Sequence, residues 1–269
     1  MRQLWRRAVG AACLGALVAC GGGGTSGQGD APATGTTGTS SIASAQTGMT
    51  YDLQIWLPPG YAQATTNYPV IYAMDCEYRF ATLVLAMQQT RTAAILVNVC
   101  AMSTARRWVD FTMPGAAPYY RFLTLELVPF IESRYRTDPG NRSLSGHSLS
   151  GEFAMYALYQ EVPAHRYFTS IISAECSCWY DASMLFQQAL AQPLAMEQAM
   201  YAADHRLPVN LVMAGDDLSN GPAVSAVYDT ISQRGYQDLR SIHLTYRLGH
   251  VPMDGPSFTA AMGFVFPGP

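Results

Sequence analysis

The chain has 269 residues, a formal net charge of −3 at neutral pH, only 13% charged residues and no run of basic side chains. That balance excludes nucleic acid as a partner, because binding a phosphate backbone needs clustered Lys and Arg. Beyond an N-terminal segment unlike a fold, the remaining length suits one domain.

Met1–Arg7 carries Arg2, Arg6 and Arg7 and no acid, and Ala8–Ala19 is an apolar run that leads into Cys20. This is the pattern of a signal peptide. The run falls short of the roughly 20 residues a spanning helix needs. Ending in Leu17-Val18-Ala19-Cys20, it resembles the lipobox of bacterial lipoproteins. Cys20 is therefore expected to become a lipidated N-terminus, with Gly21 pointing to the outer membrane and the lipid as the only membrane contact. Residues 21–48 are mostly Gly, Ser, Thr and Ala with almost no large apolar side chain. Such a stretch cannot offset its ordering entropy and reads as a flexible linker, leaving 49–269 as the folded domain.

Export would place Cys76, Cys100, Cys176 and Cys178 in an oxidising compartment. One or two long-range disulfides are expected, and Cys176 is not expected to pair with Cys178, since residues two apart in an extended segment point to opposite faces. With no CxxC pair and no histidine at ligand spacing, no metal is expected.

Tyr51–Leu57 alternates polar and apolar and stops at Pro58-Pro59-Gly60, which predicts a half-buried, antiparallel strand. Tyr68–Met74 and Ala93–Val99 are continuous apolar runs, as strands covered on both faces require. Tyr119–Tyr135 shows helical periodicity. Then follow a short strand at Ser143–Gly146, a helix over Leu149–Tyr159, and strands at Tyr167–Ser173 and Val209–Ala214. A helix over Ala223–Arg234, a strand at Ile242–Tyr246 and a helix over Ser257–Phe264 close the chain. Strands alternating with helices predict an α/β fold with a mostly parallel central sheet and helices on both faces. Ligands bind such sheets beyond the carboxyl ends of the strands.

Leu144-Ser145-Gly146-His147-Ser148-Leu149-Ser150-Gly151 sets a serine between small residues where a strand turns sharply into a helix. This is a nucleophile elbow. Ser150 stands where G-x-S-x-G has its second glycine. A serine hydroxyl needs a base to take its proton, and that base needs a third group to orient it. Of the five histidines, His147, His165, His205 and His243 read as an elbow neighbour, turn or loop surface, and strand face. His250 lies in a loop just past the last strand, where a base must sit to reach back over the sheet. The acid is expected after the strand Val209–Ala214, where Asp217 is favoured and Asp216, which could cap the following helix, is the alternative. For the oxyanion, Leu149 N–H is one expected donor. The second is expected from Asp75-Cys76-Glu77, with Cys76 and Glu77 both open.

These residues resemble the Putative esterase family, which includes esterase D, enterochelin and salmochelin esterases, feruloyl esterases and mycolyltransferases. The likeness rests on Trp56-Leu-Pro-Pro-Gly-Tyr61, Tyr68–Asp75, Arg107–Thr112, Phe122–Glu132, Tyr135–Pro139, Arg142–Gly151 and Gly249-His250. It implies an α/β-hydrolase fold and Glu77 N–H as the second oxyanion donor. It also implies a cleft shaped by Arg106 or Arg107 with Asp110, and Glu175–Trp179 in the place of a Ser-Pro-Ser-x-Trp segment. The chain departs from the family in Asp75-Cys76, usually Asp-Gly, and in Ser150, usually glycine.

The reading is a serine carboxylic-ester hydrolase working through an acyl-enzyme, with Ser148, His250 and Asp217, no cofactor and a small-molecule ester as partner. Tyr78, Trp108, Tyr119, Trp179 and Tyr180 suggest an aromatic cleft for a siderophore or other aromatic ester. Acyl transfer by the same triad is one rival. A silent hydrolase scaffold serving as a surface binding protein is the other.

Overall fold

The computed structural model describes residues 34–178 and 191–267. The expectations for residues 1–33, including the signal segment and Cys20, and those for Trp179 and Tyr180 lie outside the described residues.

Eight strands form one sheet in the order β1-β2-β4-β3-β5-β6-β7-β8. The apolar runs become β3 (Tyr68–Met74) and β4 (Ile95–Val99), which pair in parallel. Every residue of β4 is buried, as a strand covered on both faces demands. Alternate residues of β3 serve the two faces: Val70, Tyr72 and Met74 pack into one core cluster, Ile71 and Ala73 into the other. β2 (Thr50–Leu57) runs antiparallel to β4. β5 (Thr137–His147), β6 (Ser170–Ala174), β7 (Asn210–Asp216) and β8 (Arg240–Tyr246) continue the sheet in parallel.

The expected linker to residue 48 is corrected by β1, Thr36–Ala43, which pairs antiparallel with β2 from Thr36 opposite Leu57 to Ala43 opposite Thr50. As an edge strand it buries only Ile42, so its composition resembles a tether. Its Thr and Ser side chains nonetheless suit a strand, and β2 satisfies its backbone groups.

The helices are α1 (Cys76–Thr90), α2 (Thr104–Phe111), α3 (Ala116–Arg121), α4 (Val128–Glu132), α5 (Leu149–Gln160), α6 (Ala191–Ala203), α7 (Gly221–Gln233) and α8 (Asp254–Val265). The expected helix over Tyr119–Tyr135 runs through α3, a wider-turned π-helical stretch at Phe122–Leu127, and α4. The chain leaves β3 for β4 on one side and returns to place β5 on the other. That reversal opens a crevice at the carboxyl ends of β3 and β5. The elbow and Asp75-Cys76-Glu77 meet there.

Candidate active site

Ser148 is the residue between β5 and α5, with φ 61° and ψ −121°. A non-glycine residue holds such a conformation only where its surroundings impose it. A Cβ on Gly146 would collide with the Ser150 carbonyl and lie 2.6 Å from the Gly151 nitrogen. The elbow therefore closes only on glycine at 146. A Cβ on Gly151 would lie 2.7 Å from the Ala174 carbonyl oxygen, so this glycine lets α5 approach β6. Ser150, at the family's glycine position, is fully buried. Its hydroxyl accepts the His147 N–H at 2.9 Å and donates to Asp75 Oδ2 at 2.7 Å. The departure from the motif thus ties the elbow to the end of β3.

His250 lies just beyond β8, and its Nδ1 is 2.9 Å from Glu175 Oε2. The imidazole is 36% exposed while the Glu175 side chain is fully buried. Burial pushes the Glu175 carboxyl up, but the His250 ring and the N–H groups of Asp216 and Asn220 outweigh it and hold the group below its ordinary 4.5. A carboxylate on Nδ1–H leaves Nε2 as the basic nitrogen. The His250 carbonyl accepts Nε2–H of His147, the neighbour of Ser148, at 2.7 Å, and the two rings are 4.8 Å apart. Burial lowers the His147 pKa against the pull of Asp254, so His147 serves as a neutral donor that seats the His250 loop beside the elbow.

The expected acid, Asp217, does not meet His250. Its carboxylate is 44% exposed and faces Arg247 at 3.6 Å. The alternative, Asp216, is fully buried and faces the His250 loop backbone instead of its imidazole. Its Oδ1 accepts the Leu218 N–H at 2.9 Å, and its Oδ2 accepts those of Leu248 at 2.5 Å and Gly249 at 2.9 Å. Burial pushes its pKa up, yet these three N–H groups hold it below 3.8. Asp216 thus fixes the loop that carries His250, and the partner of the imidazole comes from the end of β6. Glu175 has φ 51°, and its N–H continues the ladder to the Ala214 carbonyl at 2.7 Å.

That left-handed residue also overturns the expectation for Cys176 and Cys178. The segment bends instead of extending, the two Cα atoms are 5.0 Å apart, and the cysteines form a disulfide. Cys76 pairs with Cys100 at a Cα separation of 4.5 Å. Cys76 and Glu77 are the first residues of α1, as Leu149 is of α5, so their N–H groups lack intrahelical acceptors and suit an anion. The Cys76–Cys100 bond steadies the first turn of α1, and the Glu77 carboxylate accepts the N–H groups of Ala101 at 3.0 Å and Met102 at 2.6 Å. Among the described residues Cys76, Glu77 and Cys100 cluster as metal-ligating types. With both sulfurs in a disulfide, they form no ligand set.

The expected cleft residues divide. Arg107 forms a two-pronged pair with Asp75, at 2.7 and 3.0 Å, and so braces the crevice wall. Asp110 is 1% exposed and is paired with Arg106 and with the Tyr51 hydroxyl at 3.0 Å. It is a core anchor of α2, set back from the cleft. Tyr119 is likewise core, packed edge-on against Tyr51. Tyr78 and Trp108 are exposed.

Beneath the elbow lies a buried pair that the sequence does not announce. Arg79 Nε donates to Asp254 Oδ2 at 2.8 Å, and its other nitrogens reach the Ser145 carbonyl at 3.2 Å and hydroxyl at 3.1 Å. This joins α1, β5 and α8.

The sequence matches the family described as Putative esterase over residues 44–217. The chain belongs to this family. The ferri-bacillibactin esterase BesA of Bacillus subtilis (strain 168) is 27% identical over 191 residues, covering 60% of this chain and 63% of that protein. The chain thus spans under two thirds of that relative's length. Among solved structures, the BES protein from Bacillus cereus superposes with a TM-score of 0.70 at 21% identity, over 85% of this chain and 94% of that one. The IroE-like serine hydrolase from Shewanella oneidensis gives 0.69 at 23% identity, over 84% and 78%. These likenesses establish the α/β-hydrolase fold, and the Putative esterase family places the elbow, Glu175 and Asp216 inside its matched region.

Proposed function

We propose that the protein is a serine carboxylic-ester hydrolase in which Ser148 attacks the ester carbonyl, His250 Nε2 takes its proton and Glu175 holds the imidazole. The observation that carries the reading is the 2.9 Å pairing of His250 Nδ1 with a buried carboxylate beside a strained elbow serine. The tetrahedral oxyanion is received by Leu149 N–H and by the first turn of α1, through Glu77 or Cys76. Collapse returns the proton from His250 to the leaving alcohol, and water releases the acyl group by the same path in reverse.

The substrate proposed is a siderophore or another aromatic ester, which the likeness to the ferri-bacillibactin esterase of Bacillus subtilis supports. The exposed Tyr78 and Trp108 offer flat apolar surface for it. Lipidation at Cys20 and residence at the outer membrane are part of the proposal. The two disulfides support an oxidising compartment, and among the described residues no helix is long and apolar enough to cross a membrane.

Steady-state hydrolysis of a short-chain nitrophenyl ester, followed by a cyclic catecholate ester, tests the reading. Turnover of both supports it. Turnover of the first alone retains the chemistry and rejects the siderophore, and inertness toward both rejects the reading.

A further inference from the structure

Ser177 has no part in the triad, yet it is the described residue whose side chain meets the nucleophile. Its Oγ lies 3.4 Å from Ser148 Oγ, and its N–H donates to the Ser148 carbonyl at 3.0 Å. It is 4% exposed, two residues past Glu175, and flanked by Cys176 and Cys178, which are fully buried and bonded to each other. The disulfide closes a small ring through the Ser177 backbone, so the direction of this side chain is set by covalent geometry as well as by packing.

A serine oxygen has one hydrogen and two lone pairs. In the proposed reaction the Ser148 hydrogen goes to His250 and one lone pair to the carbonyl carbon. The proton leaves its bonding pair on Oγ, so the oxygen is alkoxide-like until the C–O bond forms, and at that moment it has lone pairs free for a donor. We propose that Ser177 is that donor: a further catalytic residue, aimed by the Cys176–Cys178 ring, whose hydroxyl bonds to Ser148 Oγ during acylation. The Ser148 proton moves to His250 Nε2, the Oγ–C bond forms as the carbonyl π pair moves to oxygen, and Ser177 keeps its own proton. At 3.4 Å the resting contact is longer than an ordinary O–H···O bond. A donor that tightens only as the proton leaves speeds acylation, which is read in kcat/KM.

This inference rests on the serine-hydrolase reading, and the experiment separates the two. Wild type, Ser177→Ala, Ser177→Thr and Ser148→Ala are compared in nitrophenyl ester hydrolysis and in the rate of labelling by a fluorophosphonate. Ser177→Ala is expected to lose about 10- to 100-fold in kcat/KM and labelling rate, somewhat less than loss of an oxyanion donor. Ser177→Thr, which keeps the hydroxyl, restores most of it. A kcat/KM and labelling rate for Ser177→Ala within twofold of wild type overturn the inference, and so does a loss that Thr does not repair. Wild type inert to both reagents overturns the hydrolase reading and this inference with it. In a background carrying Cys176→Ser and Cys178→Ser, Ser177→Ala is expected to cost less than in the parent. Equal cost shows that the ring does not aim the hydroxyl.

Discussion

Replacing Glu175 by glutamine separates a carboxylate that orients His250 from one that merely lies beside it. Neither carboxylate oxygen is spare: Oε1 accepts the Asp216 N–H at 2.8 Å, while Oε2 faces His250 Nδ1 at 2.9 Å and the Asn220 N–H at 3.3 Å. In the variant the amide oxygen stays on the shorter Asp216 bond, so the NH2 group faces Nδ1. The imidazole must then accept through Nδ1 and carry its hydrogen on Nε2, the tautomer that cannot take the Ser148 proton. Loss of the correct tautomer in a triad of this kind lowers kcat by about 10⁴-fold. The assay is kcat for a nitrophenyl ester at neutral pH with circular dichroism as the folding control, and with Asp217→Asn alongside. Asp217 is exposed and faces Arg247, so its variant should stay within about threefold of wild type, as changes confined to an exposed pair do. Glu175→Gln near wild type, or Asp217→Asn as the damaged variant, would refute the assignment of Glu175.

Further predictions follow from the same contacts. Asp216→Ala frees the Leu248 and Gly249 N–H groups, so His250 drifts and kcat should fall about 10²-fold, as a misplacement near 1 Å produces; a crystal structure of the variant with His250 unmoved contradicts this. Arg79→Met leaves Asp254 buried without its partner, and urea unfolding should show a loss of about 3–5 kcal/mol. In acid, Glu175, Asp216 and Asp254 are all held below their ordinary values. Each contributes stability in full above its unfolded pKa and loses it as pH falls through the lower folded value. Tm should therefore drop steeply below about pH 4, and less steeply in Glu175→Gln. Glu161 has the opposite sign, because burial raises its pKa to about 7 against Tyr120 and Arg166. The folded state holds its proton longer, stability declines as pH rises from about 4.5 toward 7, and Glu161→Gln should flatten that slope.

Much of this architecture was legible in the residues. The apolar runs at Tyr68–Met74 and Ala93–Val99 marked central strands because only burial on both faces tolerates them. The elbow was legible because its steric demands fall on Gly146 and Gly151. His250 was singled out from its place after the last strand, and there it pairs with Glu175. The carboxylate that meets its imidazole was not, because chain order placed the acid after β7, where Asp216 and Asp217 stand, whereas the fold brings Glu175 from the end of β6. The available signal was Glu175 next to an unusual Cys-Ser-Cys, with a left-handed bend that no propensity announces. The same bend defeated the reasoning about Cys176 and Cys178. β1 escaped notice because an edge strand with a solvated outer side needs little apolar residue, and its pairing with β2 is a backbone property.

The central claim, an acyl-enzyme on Ser148, is tested most directly by treating the protein with a fluorophosphonate and mapping the adduct by peptide mass spectrometry. The account predicts one adduct per chain, on the peptide containing Ser148, absent in Ser148→Ala and formed far more slowly in His250→Ala and Glu175→Gln. A folded protein that takes up no label, or labels elsewhere at an equal rate, would contradict it.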